Sequence, residues 1–154
     1  MPKARAALGA ILLGLFAASS NAAIARAATL PAPPLGRWLS QDHDGVFEIM
    51  DCGKTVCGRL VGLRYEGVMP TDKAGHPQCG LMMLTGFVRD ESDPKRWDGL
   101  ILDPEKDRTY HSEIWSPEPG LLKLRGYLLI PLFGETQRWT RYDGPIGRDC
   151  HLPS

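Results

Sequence analysis

The sequence predicts an all-β protein, an eight-stranded antiparallel up-and-down barrel. Three observations predict it. Apolar or alternating runs of four to ten residues recur from Gly36 onward, and Gly, Asp, Pro and Lys separate them. Most of the connections are too short for anything but antiparallel neighbours. No stretch after the leader holds a helical period for ten residues, and no repeat or heptad is present. Closure of such a sheet removes its exposed edges. A two-sheet sandwich is the other architecture these runs allow.

The chain opens with Lys3 and Arg5, and then Ala6–Ala18 runs without a charge. About 13 apolar residues cannot span a bilayer, which takes about 20, so residues 1–27 read as a secretory signal. Cleavage is expected after Ala27, with Ala22 the alternative, and no later segment is long and apolar enough to anchor the chain. The product is expected in the periplasm, or secreted. Removing 27 of 154 residues leaves 127, enough for one core. It also leaves 15 basic against 18 acidic residues, because Lys3, Arg5 and Arg26 depart. That balance argues against a nucleic-acid partner, and no polybasic cluster suits an anionic membrane.

Residues 28–35, "ATLPAPPL", form a proline-rich leader, residues 36–143 the barrel domain and 144–154 a tail. Strands are expected near 37–40, 46–52, 56–65, 81–89, 97–102, 108–115, 121–130 and 136–142. The strand at 81–89 is apolar on both faces, which suits either a barrel with an outer apolar patch or a sheet covered by a partner. The long loop 66–80, with two prolines, stands out among tight connections.

Four cysteines in an exported chain read as disulfides. Cys52 and Cys57 flank "GKTV", a hairpin loop that sets them opposite each other. Cys79 is left to Cys150, tying down the tail. A zinc site is the weaker reading, for want of a second close pair.

Gly36-Arg37-Trp38 resembles the opening of lipocalin-like barrels, in which the Trp closes the narrow end beneath a basic residue of the last strand. Here "TQRWTR" offers Arg138 and Arg141 for a cation–π contact. Trp38 is therefore assigned a structural role. Asp42-His43-Asp44-Gly45 has turn chemistry, and His76, His111 and His151 lack ligand spacing, so no metal and no cofactor is expected.

Asp98, Tyr110, His111 and Glu113 lie on two strands that should pair, which brings carboxylates together as in acid–base catalysis or as on any solvated face. No serine-nucleophile, metalloprotease or phosphate-loop motif accompanies them, and no catalytic residue is assigned.

"GRWLSQDHDGVFEI", "CGKTVCGRLVGLR", "CGLMMLTGF", "RWDGLILDPEKDRTY" and "LKLRGYLLIPLFGETQRWTR" together resemble the small exported bacterial proteins called domain of unknown function 2147. The resemblance runs from Gly36 to about Arg141. It implies a lipocalin-like barrel from a Gram-negative bacterium, and it brings no activity, substrate or catalytic residue.

The function expected is binding of a small apolar or amphipathic ligand. The alternative is an envelope protein-interaction or stress module with a protein partner, and a carboxylate-dependent enzyme ranks third. In a closed meander the loops after strands one, three, five and seven share an end, opposite Trp38. A mouth is thus expected there, rimmed by 41–45 and 66–80. Asp42, His43, Asp44, His76, Asp103 and Glu113 are the polar candidates, with Tyr110 or Trp115 below.

Overall fold

A computed structural model of the chain describes residues 29–130, 132 and 134–153, so the expected signal segment lies outside the described residues. The strands are β1 (Gly36–Leu39), β2 (Gly45–Asp51), β3 (Val56–Leu63), β4 (Met82–Arg89), β5 (Arg96–Asp103), β6 (Arg108–Glu118), β7 (Leu121–Tyr127) and β8 (Glu135–Arg141). Each pairs antiparallel with the next and β8 returns to β1, so the sheet is a closed barrel and not a sandwich. A 3-10 turn, Arg148–Cys150, precedes the terminus.

Strand alternation sorts the side chains. Trp38, Phe47, Ile49, Leu60, Phe87, Trp97, Ile114, Leu122, Leu124 and Trp139 form the buried interior. Phe47 stacks on Trp139 with ring centroids 4.3 Å apart. The two apolar faces of 81–89 have a local cause. The ladder of β4 slips against β3 and again against β5, where Gly86 takes φ +68°. These irregularities turn Met83, Leu84 and Phe87 all into the core and leave Met82 and Val88 outside.

Two element ends differ from expectation by three residues, and the others by no more than two. β6 continues to Glu118, with its register slipping between Trp115 and Glu118. β7 stops at Tyr127, so Leu128–Ile130 leave the sheet.

The narrow end is sealed by the proline leader. Trp38 donates its indole N–H to the Pro34 carbonyl at 2.8 Å, and Arg141 donates to Leu35 O while its guanidinium lies 4.0 Å over the Trp38 ring. Of the two arginines the sequence offered, Arg141 makes this contact, and exposed Arg138 donates its backbone N–H to Gln41 Oε1. Arg89 holds the leader further out, through Pro31 O. Gly36 has φ +108°, and a Cβ there would collide with the Arg141 guanidinium, so the Gly of Gly-x-Trp is a steric and conformational requirement.

Disulfides join Cys52 to Cys57 and Cys79 to Cys150. The second carries the tail back to the barrel, where Leu152 bonds Leu63 O and packs over Gly62 and Val46.

Gly36→Ala is expected to cost on the order of 2 kcal/mol in denaturant unfolding, from the strained φ alone. Removing Cys79–Cys150, which closes 71 residues, should cost about 4 kcal/mol, against about 2 for the five-residue Cys52–Cys57 loop. Equal losses from the two disulfides would show that loop closure is not what they contribute.

Candidate functional site

The barrel's open end gathers the turn 41–44, the loop 64–81, the turn 104–107 and the connection 128–134. A cavity of about 650 Å³ opens there. It lies to one side, within β5–β8, and is lined by Ile101, Leu102, Asp103, Tyr110, Leu124, Gly126, Tyr127, Leu128, Leu129, Glu135 and Gln137.

Small inward residues explain its position. Gly99, Ser112 and Gly126 stand abreast on β5, β6 and β7. Phe87 occupies the space in front of Gly99, where a Cβ would strike its ring. Nothing comes closer to Gly126 than the Ile101 methyl, 3.8 Å from where a Cβ would be. The β1–β4 half of the barrel is thus filled, and the β5–β8 half is open toward the mouth.

Its walls are apolar from Ile101, Leu124 and Leu128. Gln137 holds the Trp139 indole N–H at 2.8 Å. Asp103 accepts from the Lys106 ammonium at 2.9 Å and from its backbone N–H. That ammonium holds the Asp103 carboxyl below its ordinary value. Glu135 is exposed at the lip and makes no ion pair among the described residues.

The candidates from the sequence separate. Asp103 and Tyr110 line the cavity. Asp42, His43 and Asp44 do not line it, because they are spent in a turn. Ser40 donates to Asp44 Oδ1 at 2.5 Å, its oxygen receives the Asp44 and Gly45 N–H groups, and His43 adopts φ 60°. His76 is likewise turned into its own loop, against Asp72 at 3.1 Å. Asp72 also takes the backbone N–H groups of Ala74 and His76, and the bond from His76 leads in holding its carboxyl low.

The 66–80 loop reaches the β5–β6 turn through Lys73 N–H and Pro104 O without contributing to the lining. The expected rim at 41–45 and 66–80 is therefore corrected to β5–β8. The mouth itself lies opposite Trp38, as the strand count requires. Among the described residues no three His, Cys, Asp or Glu side chains are grouped to hold a metal.

Glu113 and Trp115 are corrected too, and for a reason of parity. Trp97 and Ile114 are buried inward, so their neighbours Asp98, Glu113 and Trp115 face outward. Arg96 bonds Glu113 at 2.9 Å and lies 4.1 Å over the Trp115 ring. Asp98 and Glu113 are cross-strand partners, but on the outer side of the sheet, and neither lines the β5–β8 cavity. Burial pushes the Asp98 carboxyl up to about 6, and Asp90 beside it pushes the same way.

Sequence reasoning missed Leu128, Leu129, Glu135 and Gln137. Period-2 alternation backward from Trp139 was a sufficient signal for Gln137 and Glu135.

A closed eight-stranded antiparallel barrel with a Trp–Arg closed end and an off-centre mouth cavity is a lipocalin-like calyx. Residues 36–141 match the family described as "Uncharacterized protein conserved in bacteria (DUF2147)", and the chain belongs to that family. Its fold is similar to that of a solved structure described as protein HP1028 from the human pathogen Helicobacter pylori, which belongs to the lipocalin family. The TM-score is 0.62 at 13% identity, over 73% of this chain and 85% of that one. No curated protein matches the chain.

The raised Asp98 carboxyl predicts a pH dependence. Its folded value exceeds its unfolded one, so its stabilising contribution is complete below pH 3.8 and is lost as pH rises through about 6. Asp98→Asn should therefore raise the thermal midpoint at neutral pH and leave it unchanged below pH 3.8. Parallel curves for variant and wild type across that window would show that the group is not coupled to folding.

Proposed function

We propose that the protein is a periplasmic binding module for one small apolar or amphipathic molecule, held in the β5–β8 cavity. The carrying observation is the cavity itself. Its volume of about 650 Å³ falls within the roughly 300–1,000 Å³ of small-molecule sites, and its walls are mainly apolar with a few polar groups at the rim. A small barrel either fills itself with side chains or retains room for one ligand. The periplasmic placement draws on the charge-flanked apolar run at 6–18, cleaved near Ala27 or Ala22, and on two disulfides that suit an oxidising compartment.

A second reading, an envelope protein-interaction module, draws on one feature. Leu128, Leu129, Ile130 and Leu132 are 57%, 87%, 47% and 76% exposed beside the mouth. The outer face of β4, which suggested such a partner from sequence, offers only Met82 and Val88.

Native mass spectrometry of protein purified from its own periplasm is expected to retain the ligand. A neutral naphthylamine dye should bind in the cavity and be displaced by it. Gly126→Phe projects a ring into the cavity from a backbone that needs no positive φ, so it should weaken dye binding at least tenfold with little change in melting temperature. Undiminished dye binding by this variant would place the dye, and the function, elsewhere.

A further inference from the structure

We propose that the cavity selects an amphiphile with a protonated amine head, seated at Glu135 and Asp103, over one with a carboxylate head. This rests on the binding reading above and specifies its chemistry. Among the described residues, the charged side chains lining the cavity are two carboxylates, and no Lys, Arg or His lines it.

Both carboxylates face inward by strand parity. Glu135 is two and four residues from inward Gln137 and Trp139, and Asp103 is two from Ile101. Glu135 is also the cross-strand partner of Gly126, whose missing side chain leaves the space beneath it.

The cations near the mouth have other engagements. Lys106 holds Asp103 from the turn, with its own side chain 66% exposed. Arg108 lies 5.6 Å from the Tyr110 ring centroid. Arg125 points to the outer side, where it donates to Thr136 Oγ1 and Leu132 O.

An ammonium entering tail-first would set its tail against Ile101, Leu124 and Leu128 and its N–H groups toward Glu135, with Asp103 across the opening. Charge-assisted bonds of this kind are about twice as strong as neutral ones. A carboxylate in the same place would meet the like charge of Glu135, which has no ion pair among the described residues, and Asp103, whose charge Lys106 offsets only in part. One elongated apolar tail and one compact cationic head suit the cavity; a fatty acid does not.

The test is calorimetric titration of the full mature chain at neutral pH with dodecylammonium, dodecanol and dodecanoate, the two ions below their micellar concentrations and the alcohol below its solubility limit. Dodecylammonium should bind at least tenfold more tightly than dodecanoate, a difference of about 1.4 kcal/mol, with dodecanol between them. Glu135→Gln should remove most of that preference. Glu135→Lys, at the same exposed and therefore tolerant position, should reverse it. Dodecanoate binding as tightly as dodecylammonium, or a preference untouched in Glu135→Gln and Asp103→Asn alike, would overturn the head-group assignment while the binding function stands. If none of the three titrates, the binding reading falls and this inference with it.

Discussion

The whole fold depends on closing the ring at its weakest seam, where β1 meets β8. Elsewhere neighbouring strands share three to eight registered pairs, the eight between β5 and β6. β1 is four residues long and meets β8 through two pairs, Trp38 with Arg141 and Leu39 with Thr140. Two pairs cannot hold an edge shut unaided, since cross-strand pairs contribute roughly 0.2–1 kcal/mol each. The seam is held instead by an assembly around one indole. Its faces are buried in the core and under a guanidinium, and its N–H is satisfied by the leader. The Arg141 that covers the ring also bonds the leader, so leader, first strand and last strand are tied through two side chains.

That seam sets where a cavity can exist. Trp38, Phe47 and Trp139 fill the barrel next to the closure, and Phe87 extends the packing across to β5. Aromatic bulk at the closed end is what stability requires, because a well-packed interior leaves few voids larger than water. The small residues then fall where the closure no longer needs bulk, at Ser112 and Gly126 toward the mouth. An empty volume in β5–β8 is the complement of a filled one in β1–β4. Apolar burial that stabilises the fold and apolar wall available to a ligand are divided between the two halves.

Much of the architecture was legible in the sequence because barrels obey local rules. Strand alternation, the tight turns at Gly53 and Pro119-Gly120, and the Gly-x-Trp opening each act within a few residues. The two disulfides followed from compartment and spacing. What was not legible depends on parity across slips. The registers of β4 shift at three points, so no two-residue period shows that Met83, Leu84 and Phe87 all face inward. The polar clusters misled for a different reason. Asp42, His43, Asp44 and His76 are attractive as side chains, but they belong to local turns: Ser40 donates to Asp44, the His43 N–H bonds the Ser40 carbonyl, and the His76 ring turns onto Asp72. Glu135, a single charge within an unremarkable strand, carries none of the density that draws attention in a sequence. It reaches the site through position alone.

The two sides of the mouth are also braced unequally, and this bears on how a ligand enters. On the β2–β4 side the Cys79–Cys150 disulfide, the Leu152–Leu63 backbone bond, and the Tyr65 and Arg64 bonds to Asp149 and His43 carbonyls fasten loop and tail to the barrel. The β7–β8 connection is built differently. Leu129 and Leu132 stand almost fully in solvent, and Arg125 donates to the Leu132 carbonyl from outside. Local opening is easiest where few apolar contacts are buried and backbone bonds lie in water. A tail entering the cavity would therefore pass Leu128 and Leu129, covering apolar surface that is otherwise hydrated, and would bring its head to Glu135 at the base of the same connection. The exposed leucines of this connection lie beside the open half of the barrel. On the binding function proposed above they would become part of the site, with the ligand covering apolar surface that otherwise lies in water.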